Sequence, residues 1–245
     1  MKIAKFFTVA ALVGLVTTAA LGGVAPAQAA QQPAPEIVGG SKANISAAPY
    51  VAQFFIKGQF NCTASLISPT WVLIAKHCTN NVKVADITFR FGNANLGQGT
   101  VAKPKRVVQW SSGDIALVEL TTSYITTVPN VGKNYPAQGA IGNIYGWGGE
   151  TANGPLSSSL KTAKVKLLGT DGKVGQGIGE SLVVEGVDGQ AWTGDSGGPF
   201  VVGGVIVGVG STSDSGGTKK NGLADYASIA PAASWITATS GVRTN

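Results

Sequence analysis

The sequence predicts an all-β protein built as a sandwich or a barrel, and three observations support this class. Short apolar runs recur along the 245-residue chain and are separated by turn residues, as in proteins with many short strands. Glycine supplies 35 residues without a Gly-X-Y period, which excludes collagen and indicates turns and close backbone approaches. Apolar residues make up 44% of the chain and charged residues only 12%, which excludes disorder and suits a secreted β-rich domain better than a helical bundle.

Each predicted strand is a short apolar or alternating run bounded by turn formers. In chain order these runs cover residues 50–56, 64–67, 71–74, 87–91, 115–120, 140–147, 160–168, 181–187, 200–202, 205–209 and 223–229. The one predicted helix lies at about residues 231–240 and begins with a proline, which suits the first helical turn. Ile229, Ala233 and Ile236 follow near-helical spacing. Prolines near residues 128–135 predict a boundary between two groups of strands.

The amino-terminal residues have the pattern of an export signal. Lys2 and Lys5 precede an apolar run over residues 6–16, and residues 27–29 (Ala-Gln-Ala) fit a signal-peptidase site. Two glycines and a proline interrupt the apolar stretch before it reaches the ~20 residues that a membrane span needs. We therefore predict a signal peptide over residues 1–29 and a secreted, extracellular protein, in which a disulfide is permissible.

Composition gives no indication of a metal site, a cofactor or a nucleic-acid partner. One His and two Cys exclude sites that need two imidazoles or four thiolates. The net charge of +6 is modest, and the basic residues are scattered rather than clustered among aromatic residues. We expect a monomer with no metal, no other cofactor, no nucleic-acid partner and no membrane contact once the signal peptide is removed.

Residues 194–199, Gly-Asp-Ser-Gly-Gly-Pro, are the strongest local signal for chemistry. By composition alone they form a turn between strands, but a serine at a sharp turn exposes its hydroxyl, and nearby backbone N–H groups can stabilise a negative oxygen. A serine hydroxyl needs a neighbouring base, and His77 is the only imidazole in the chain. Asp114 begins a buried apolar run, where a carboxylate is costly without a partner such as that imidazole.

Four motifs then occur in the order of one known family: residues 37–40 (Ile-Val-Gly-Gly), 71–78 (Trp-Val-Leu-Ile-Ala-Lys-His-Cys), 114–117 (Asp-Ile-Ala-Leu) and 194–199. Together they closely resemble the chymotrypsin/trypsin-like serine proteases, whose chain order is also His, Asp, Ser. The resemblance covers nearly all of the chain after the leader. It implies an all-β fold of two packed antiparallel six-stranded β-barrels with a C-terminal helix. The implied boundaries are residues 37–245 for the peptidase domain, about 37–130 for barrel 1, about 131–230 for barrel 2 and about 231–240 for the helix.

The resemblance also implies a role for each residue of the candidate site. Ser196 is the nucleophile, His77 is the general base and acid, and Asp114 orients His77. The N–H groups of Gly194 and Ser196 form the oxyanion hole.

Cys62 and Cys78 are the only thiols in the chain. Taken alone, they fit either two buried free cysteines or a disulfide. The resemblance implies a disulfide beside His77, which would stabilise the fold and fix the backbone that carries the base.

An activation step is implied as well. Cleavage before Ile37 would free an α-amine that pairs with Asp195, so residues 30–36 would be a propeptide. Glu36 stands where trypsin-type zymogens usually carry Lys or Arg, which argues against trypsin-like self-activation. Either another protease cuts after Glu36, or maturation follows a different route.

Substrate specificity is predicted from barrel 2. The resemblance implies these substrate-binding residues: Gln190, Thr193, Gly208, Gly210 and Ala224. Gln190 occupies the pocket-floor position, so we expect a preference for neutral side chains, apolar or broad, immediately before the cleaved bond. The alternative is a preference for basic side chains, if a β-bulge turns Asp225 into the pocket.

The predicted function is a secreted serine endopeptidase. Its expected partners are protein or peptide substrates, an activating protease and proteinaceous inhibitors. The alternatives are a non-catalytic binding or regulatory homologue of serine proteases and an esterase that uses the same acyl chemistry.

Overall fold

The computed structural model describes residues 37–171 and 179–245, so the predicted signal peptide (1–29) and propeptide (30–36) lie outside the described residues. Two short strands, β1 (Val38–Gly39) and β2 (Ser41–Lys42), come first. No helix within this part of the chain is long and apolar enough to cross a lipid bilayer.

The first large sheet contains seven strands: β3 (Val51–Ile56), β4 (Gln59–Ser68), β5 (Trp71–Ile74), β6 (Ile87–Phe91), β7 (Thr100–Ala102), β8 (Pro104–Gln109) and β9 (Ala116–Leu120). They are hydrogen-bonded in the order β7-β6-β3-β4-β5-β9-β8. Only Lys103 separates β7 from β8, so one bent segment pairs with β6 at one end and with β9 at the other. The sheet therefore curls back on itself, and we call β3–β9 the N-terminal barrel.

The remainder of the chain contains eight further strands, all of which except β14 belong to the second large sheet. They are β10 (Asn130–Val131), β11 (Ile141–Gly146), β12 (Lys161–Asp171), β13 (Ser181–Gly186), β14 (Gly189–Gln190), β15 (Pro199–Val202), β16 (Val205–Ser213) and β17 (Leu223–Ser228). Six of them pair in the circle β16-β15-β11-β12-β13-β17, and β17 pairs again with β16. These six strands are the C-terminal barrel. β10 adds to β16, β2 pairs with β12, and β14 pairs with β1.

Alternating burial explains why these residues form strands. In β6, Ile87, Phe89 and Phe91 are buried, whereas the residues between them are half-buried. The rings of Phe54 and Phe89 lie 5.4 Å apart in the core of the N-terminal barrel. Burial of such side chains stabilises the fold by roughly 1.5–3 kcal/mol each.

The chain ends in one α-helix, α1 (Ala233–Ser240). It stops at Gly241, whose φ of 73° lies in the left-handed region and whose N–H donates to Thr237 O at 2.9 Å. Ile236 is fully buried in the same core as the N-terminal barrel. The predicted all-β class with a C-terminal helix is therefore confirmed.

Candidate active site

His77 follows β5 and lies in a short helical turn at Lys76–Thr79. Asp114 holds it at two points: His77 N donates to Asp114 Oδ1 at 2.8 Å, and His77 Nδ1 lies 2.7 Å from Asp114 Oδ2. The Asp114 side chain is only 3% exposed, whereas the imidazole is 24% exposed. The carboxylate thus fixes both the backbone and the ring of His77, and the ring still reaches the surface.

A third hydrogen bond to Asp114 comes from the C-terminal barrel. Ser211 Oγ donates to Asp114 Oδ2 at 2.6 Å. Burial raises the pKa of Asp114, but the hydrogen bonds and charge of His77 and the Ser211 hydroxyl outweigh it and hold that pKa below its ordinary value. Ser211 was not among the site residues predicted from the sequence. The one feature that could have indicated it is a hydroxyl side chain next to the strand edge that was expected to bind substrate.

The disulfide between Cys62 and Cys78 is confirmed. It joins β4 to the turn that carries His77, with the Cα atoms 6.4 Å apart. His77 Nε2 lies 3.6 Å from Cys78 Sγ. Both sulfurs are bonded to each other, so they are not the thiolates that a metal needs, and this cluster is a disulfide beside an imidazole.

Ser196 lies in the turn that precedes β15, and the N-terminal barrel holds its backbone. Ser196 O accepts a hydrogen bond from Thr63 N at 2.9 Å. The next residue, Gly197, has a φ of 80°, and a Cβ there would lie 2.3 Å from Thr63 O, so only glycine fits this close approach. Within the described residues the Ser196 hydroxyl makes no hydrogen bond, so its contact with His77 is not closed here. Catalytic hydrogen bonds often close only when substrate binds.

The proposed oxyanion donors are the backbone N–H groups of Gly194 and Ser196. In the part of the chain that the structure describes, Gly194 N and Ser196 N donate to no protein acceptor. Gly194 has a φ of 98°, a conformation that glycine adopts without strain. Both N–H groups therefore remain available to a substrate oxygen.

The side chain of Asp195 is buried next to the turn that carries Ser196. It is 3% exposed and accepts hydrogen bonds from Gly148 N at 2.8 Å and Trp192 N at 2.9 Å. Burial raises the pKa of Asp195 to about 7, although the two amide donors act in the opposite direction. Ile37, the other half of the predicted ion pair, is fully buried in the C-terminal barrel. Its nitrogen is still a peptide amide in this uncleaved chain.

A cavity of about 200 Å³ opens beside Ser196. Its walls are Ala191, Trp192, Thr193, Asp195, Ser196, Gly210, Ser211, Thr212, Ser213 and Tyr226. Two of the predicted substrate-binding residues, Thr193 and Gly210, are among them. Gln190, Gly208 and Ala224 are not, and the part of β16 that lines the cavity is residues 210–213.

The surroundings of these three residues explain why they do not line the cavity. Gln190 is fully buried, and its carboxamide donates to Gly222 O at 2.8 Å and accepts from Ala191 N at 2.9 Å, so its side chain serves the backbone instead of the cavity. Gly208 lies within β16, where a Cβ would lie 2.9 Å from the Cβ of Tyr226. Ala224 is 3% exposed and pairs with Ser213.

β16 contains a β-bulge at Ser211, inside the stretch that lines the cavity. β16 pairs with β17 through Gly210 and then through Thr212, so Ser211 is an extra residue between them. Asp225 pairs with Thr212 and accepts a hydrogen bond from its hydroxyl at 3.3 Å. This bulge lies in β16 and not in β17, the strand that carries Asp225, and Asp225 is not among the described residues that line the cavity.

Comparison with known proteins decides the family. The sequence model of the trypsin family matches residues 37–236. The chain belongs to the trypsin family. Among curated relatives, trypsin beta of Drosophila erecta is 29% identical over 237 residues, which is 89% of this chain and 93% of the relative. Trypsin alpha of the same species is 30% identical over 241 residues, covering 90% of this chain and 93% of the relative.

Solved structures agree with the trypsin fold. Neuropsin, a serine protease expressed in the limbic system of mouse brain, has a TM-score of 0.72 at 24% identity and covers 82% of this chain and 98% of its own. Human heparin binding protein has a TM-score of 0.71 at 21% identity, covering 83% and 96%. At these identities the likeness shows the fold alone. The family and the trypsin relatives make this trypsin-family chain a serine endopeptidase.

Proposed function

We propose that the chain is a secreted serine endopeptidase that cleaves peptide bonds through an acyl-enzyme formed on Ser196. The observation that carries the proposal is the 2.7 Å contact between His77 Nδ1 and the buried Asp114 carboxylate. When Nδ1–H donates to that carboxylate, Nε2 keeps its lone pair and can accept the hydroxyl proton of Ser196.

The reaction then follows from the positions of the remaining groups. Ser196 Oγ attacks the substrate carbonyl while His77 takes its proton, and the N–H groups of Gly194 and Ser196 stabilise the oxygen that becomes negative. His77 next donates the proton to the leaving amine. Water repeats the sequence and releases the acid product. Asp114 stays ionised throughout, because its hydrogen bonds hold its pKa low.

Labelling with an organofluorophosphonate tests these assignments. We expect peptide mass spectrometry to find the adduct on Ser196 of the processed enzyme, and Ser196→Ala to abolish it. Ser234→Ala, which changes an exposed serine on α1, is the matched control and should label normally. Unlabelled wild-type protein that is correctly processed favours the non-catalytic homologue, and turnover of esters without peptides favours the esterase.

The cavity supports a neutral preference for the side chain before the cleaved bond. Its outer walls carry the hydroxyl groups of Thr193, Thr212 and Ser213, and its one carboxylate, Asp195, is bound to backbone amides. Cleavage of a peptide library should therefore yield neutral residues at this position. A dominant preference for Arg or Lys, lost in Asp225→Asn, supports the basic alternative instead.

Activation by cleavage before Ile37 is part of the proposal. The buried position of Ile37, the pairing of Val38 with Gln190 and the raised pKa of Asp195 all suit a new α-amine arriving near that carboxyl. Among the described residues that line the cavity none is basic and could pair with Glu36, which favours cleavage by a different protease. N-terminal sequencing of active enzyme should begin at Ile37. Full activity with residues 30–36 attached would refute this step.

The remaining assignments concern location and partners. Export rests on the predicted signal peptide at residues 1–29, and protein or peptide substrates follow from membership of the trypsin family. An activating protease, proteinaceous inhibitors and a monomeric state complete the proposal. Size-exclusion chromatography of the secreted enzyme tests the last of these.

A further inference from the structure

Thr63 belongs to the N-terminal barrel and forms hydrogen bonds with the loop of the C-terminal barrel that carries the proposed nucleophile. It lies in β4, next to Cys62, and is fully buried. Its hydroxyl donates to Gly194 O at 3.0 Å, and its N–H donates to Ser196 O at 2.9 Å. One residue therefore binds the loop at two carbonyl groups, two residues apart.

These two contacts hold the carbonyl groups of the same two residues, Gly194 and Ser196, whose N–H groups form the proposed oxyanion hole. Gly194 supplies one of these N–H groups, and its own carbonyl accepts the Thr63 hydroxyl. Glycine has more backbone freedom than any other residue, so the peptide groups on either side of Gly194 can rotate unless another group holds them. The Thr63 hydroxyl is a side-chain contact that restrains this rotation.

The same strand also leads to the base. Cys62 is bonded to Cys78, and Cys78 follows His77 directly. The disulfide thus fixes the base relative to Cys62, while Thr63 fixes the oxyanion loop relative to the same strand. A shift of β4 would move both groups together rather than apart.

We infer that Thr63 is a positioning residue for catalysis, whose hydroxyl holds the Gly194 peptide so that the oxyanion donors point at the substrate. The inference rests on the proposed roles of Gly194 and Ser196. The backbone bond to Ser196 remains in any substitution of Thr63, so a side-chain variant isolates the hydroxyl. Thr63→Val keeps the branched shape and removes the hydroxyl, and Thr63→Ser keeps the hydroxyl and removes only a methyl group.

Steady-state kinetics of the processed enzyme test the inference. We expect Thr63→Val to lower kcat about tenfold with KM within about twofold, less than the 10²–10³ lost when an oxyanion donor is removed, because both donors are still present. Thr63→Ser should restore kcat to within about twofold of the wild type. A peptide trifluoromethyl ketone, which forms a tetrahedral oxyanion on the serine, should bind Thr63→Val more weakly by the same factor as kcat/KM falls.

Other results overturn the inference. If Thr63→Val only melts at a lower temperature and keeps its kcat and its affinity for the ketone, the hydroxyl is structural. If Thr63→Ser is as impaired as Thr63→Val, the methyl group rather than the hydroxyl matters. Thr63→Ala replaces Thr63→Val if the latter does not fold, and failure of both to fold also assigns Thr63 a structural role. A wild-type enzyme without turnover or fluorophosphonate labelling would instead refute the proposed function.

Discussion

The buried carboxyl of Asp195 predicts that the uncleaved chain loses stability as the pH rises. In this chain the pKa of Asp195 is raised from its ordinary value of 3.8 to about 7, chiefly by burial. Between these two values the folded state holds a proton that the unfolded state has released. Stability is therefore highest below the unfolded pKa, falls as the pH passes from about 4 to about 7, and stays lower above that.

The size of the effect follows from the two pKa values. A difference of one in pKa is worth ~1.4 kcal/mol, so full ionisation of Asp195 costs about 4 kcal/mol. Small domains are stable by only about 5–15 kcal/mol, so this cost is a large part of the total. A free α-amine at Ile37 would offset it by pairing with the carboxylate, which gives cleavage a thermodynamic driving force for ordering the loop around Ser196.

Urea unfolding of the precursor measures this cost. Ser196→Ala prevents self-cleavage and serves as the reference, and the double variant Ser196→Ala/Asp195→Asn lacks the titrating carboxyl. The free energy of unfolding of the reference should fall by about 4 kcal/mol between pH 4 and pH 7.5, whereas that of the double variant should lack this fall. All other titratable groups are common to both chains and cancel in the comparison.

If the free energies of unfolding of the two precursors depend on pH in the same way, Asp195 does not titrate in this range and its burial has no such cost. If the free energy of unfolding falls only in the reference, the ionisation of Asp195 is the cause. After cleavage before Ile37, the fall should disappear, because the carboxylate then has a cation beside it.

Three further predictions concern single contacts. Ser211→Ala removes a hydrogen bond to the Asp114 carboxylate, so kcat/KM should drop about tenfold. This hydrogen bond helps to lower the pKa of Asp114, and a lowered pKa stabilises the fold at pH values above the ordinary pKa of the carboxyl. In Ser211→Ala, acid unfolding should therefore begin at a higher pH. Gln53→Leu removes an amide that donates to three loop carbonyls at 3.0–3.4 Å and accepts a backbone N–H at 2.7 Å, so urea unfolding should show a loss of about 2–4 kcal/mol. Replacing Cys62 and Cys78 together by serine should cost about 3 kcal/mol, measured in the same way.

Each of these has a matched control. Ser211→Thr keeps a hydroxyl and should retain most of the activity, and equal losses in both variants would contradict the hydrogen-bond explanation. Gln53→Glu keeps the shape of the side chain but loses the N–H donors, so it should be no more stable than Gln53→Leu at neutral pH. Reduction of the wild-type disulfide should match the double serine variant, and an unchanged melting temperature in fully reduced protein would contradict the prediction.

The sequence predicted the contact between His77 and Asp114 but not all of the residues that line the cavity, and the reason is physical. His77, Asp114 and Ser196 lie in short local motifs that can be identified from the sequence alone. The cavity edge depends on strand register. The cavity is lined by residues 210–213 of β16 instead of 208–210, and nothing in the apolar pattern of residues 205–213 shows which of them face it.

Gln190 shows that the direction of a buried polar side chain is also hard to predict from the sequence. Its place in the chain, six residues before Ser196, suggested a pocket floor. Its carboxamide is instead used by Gly222 O and Ala191 N. The direction of a buried polar side chain depends on which backbone groups lack partners, and that is known only when the loops are in place.

The fold itself was predicted from apolar runs, so strands that lack such a run were missed, among them β7 and β8. Residues 100–109 contain Lys103, Pro104, Lys105 and Arg106, and no strand was predicted there. β7 and β8 nevertheless form, because they pair at the edges of β6 and β9, where basic side chains can stay exposed. Arg106 Nε and Glu119 Oε2 form an ion pair on that surface.

The two barrels hold each other's reactive groups in place. Asp114 belongs to the N-terminal barrel, and Ser211 of the C-terminal barrel binds its carboxylate. Ser196 belongs to the loop before β15 of the C-terminal barrel, and Thr63 of the N-terminal barrel binds its carbonyl. Each barrel therefore supplies a hydrogen-bond partner to a proposed catalytic residue of the other. The alignment of the proposed base and the proposed nucleophile should depend on the interface between the barrels, and we expect it to be more sensitive to the loss of these crossing hydrogen bonds than to changes in either core.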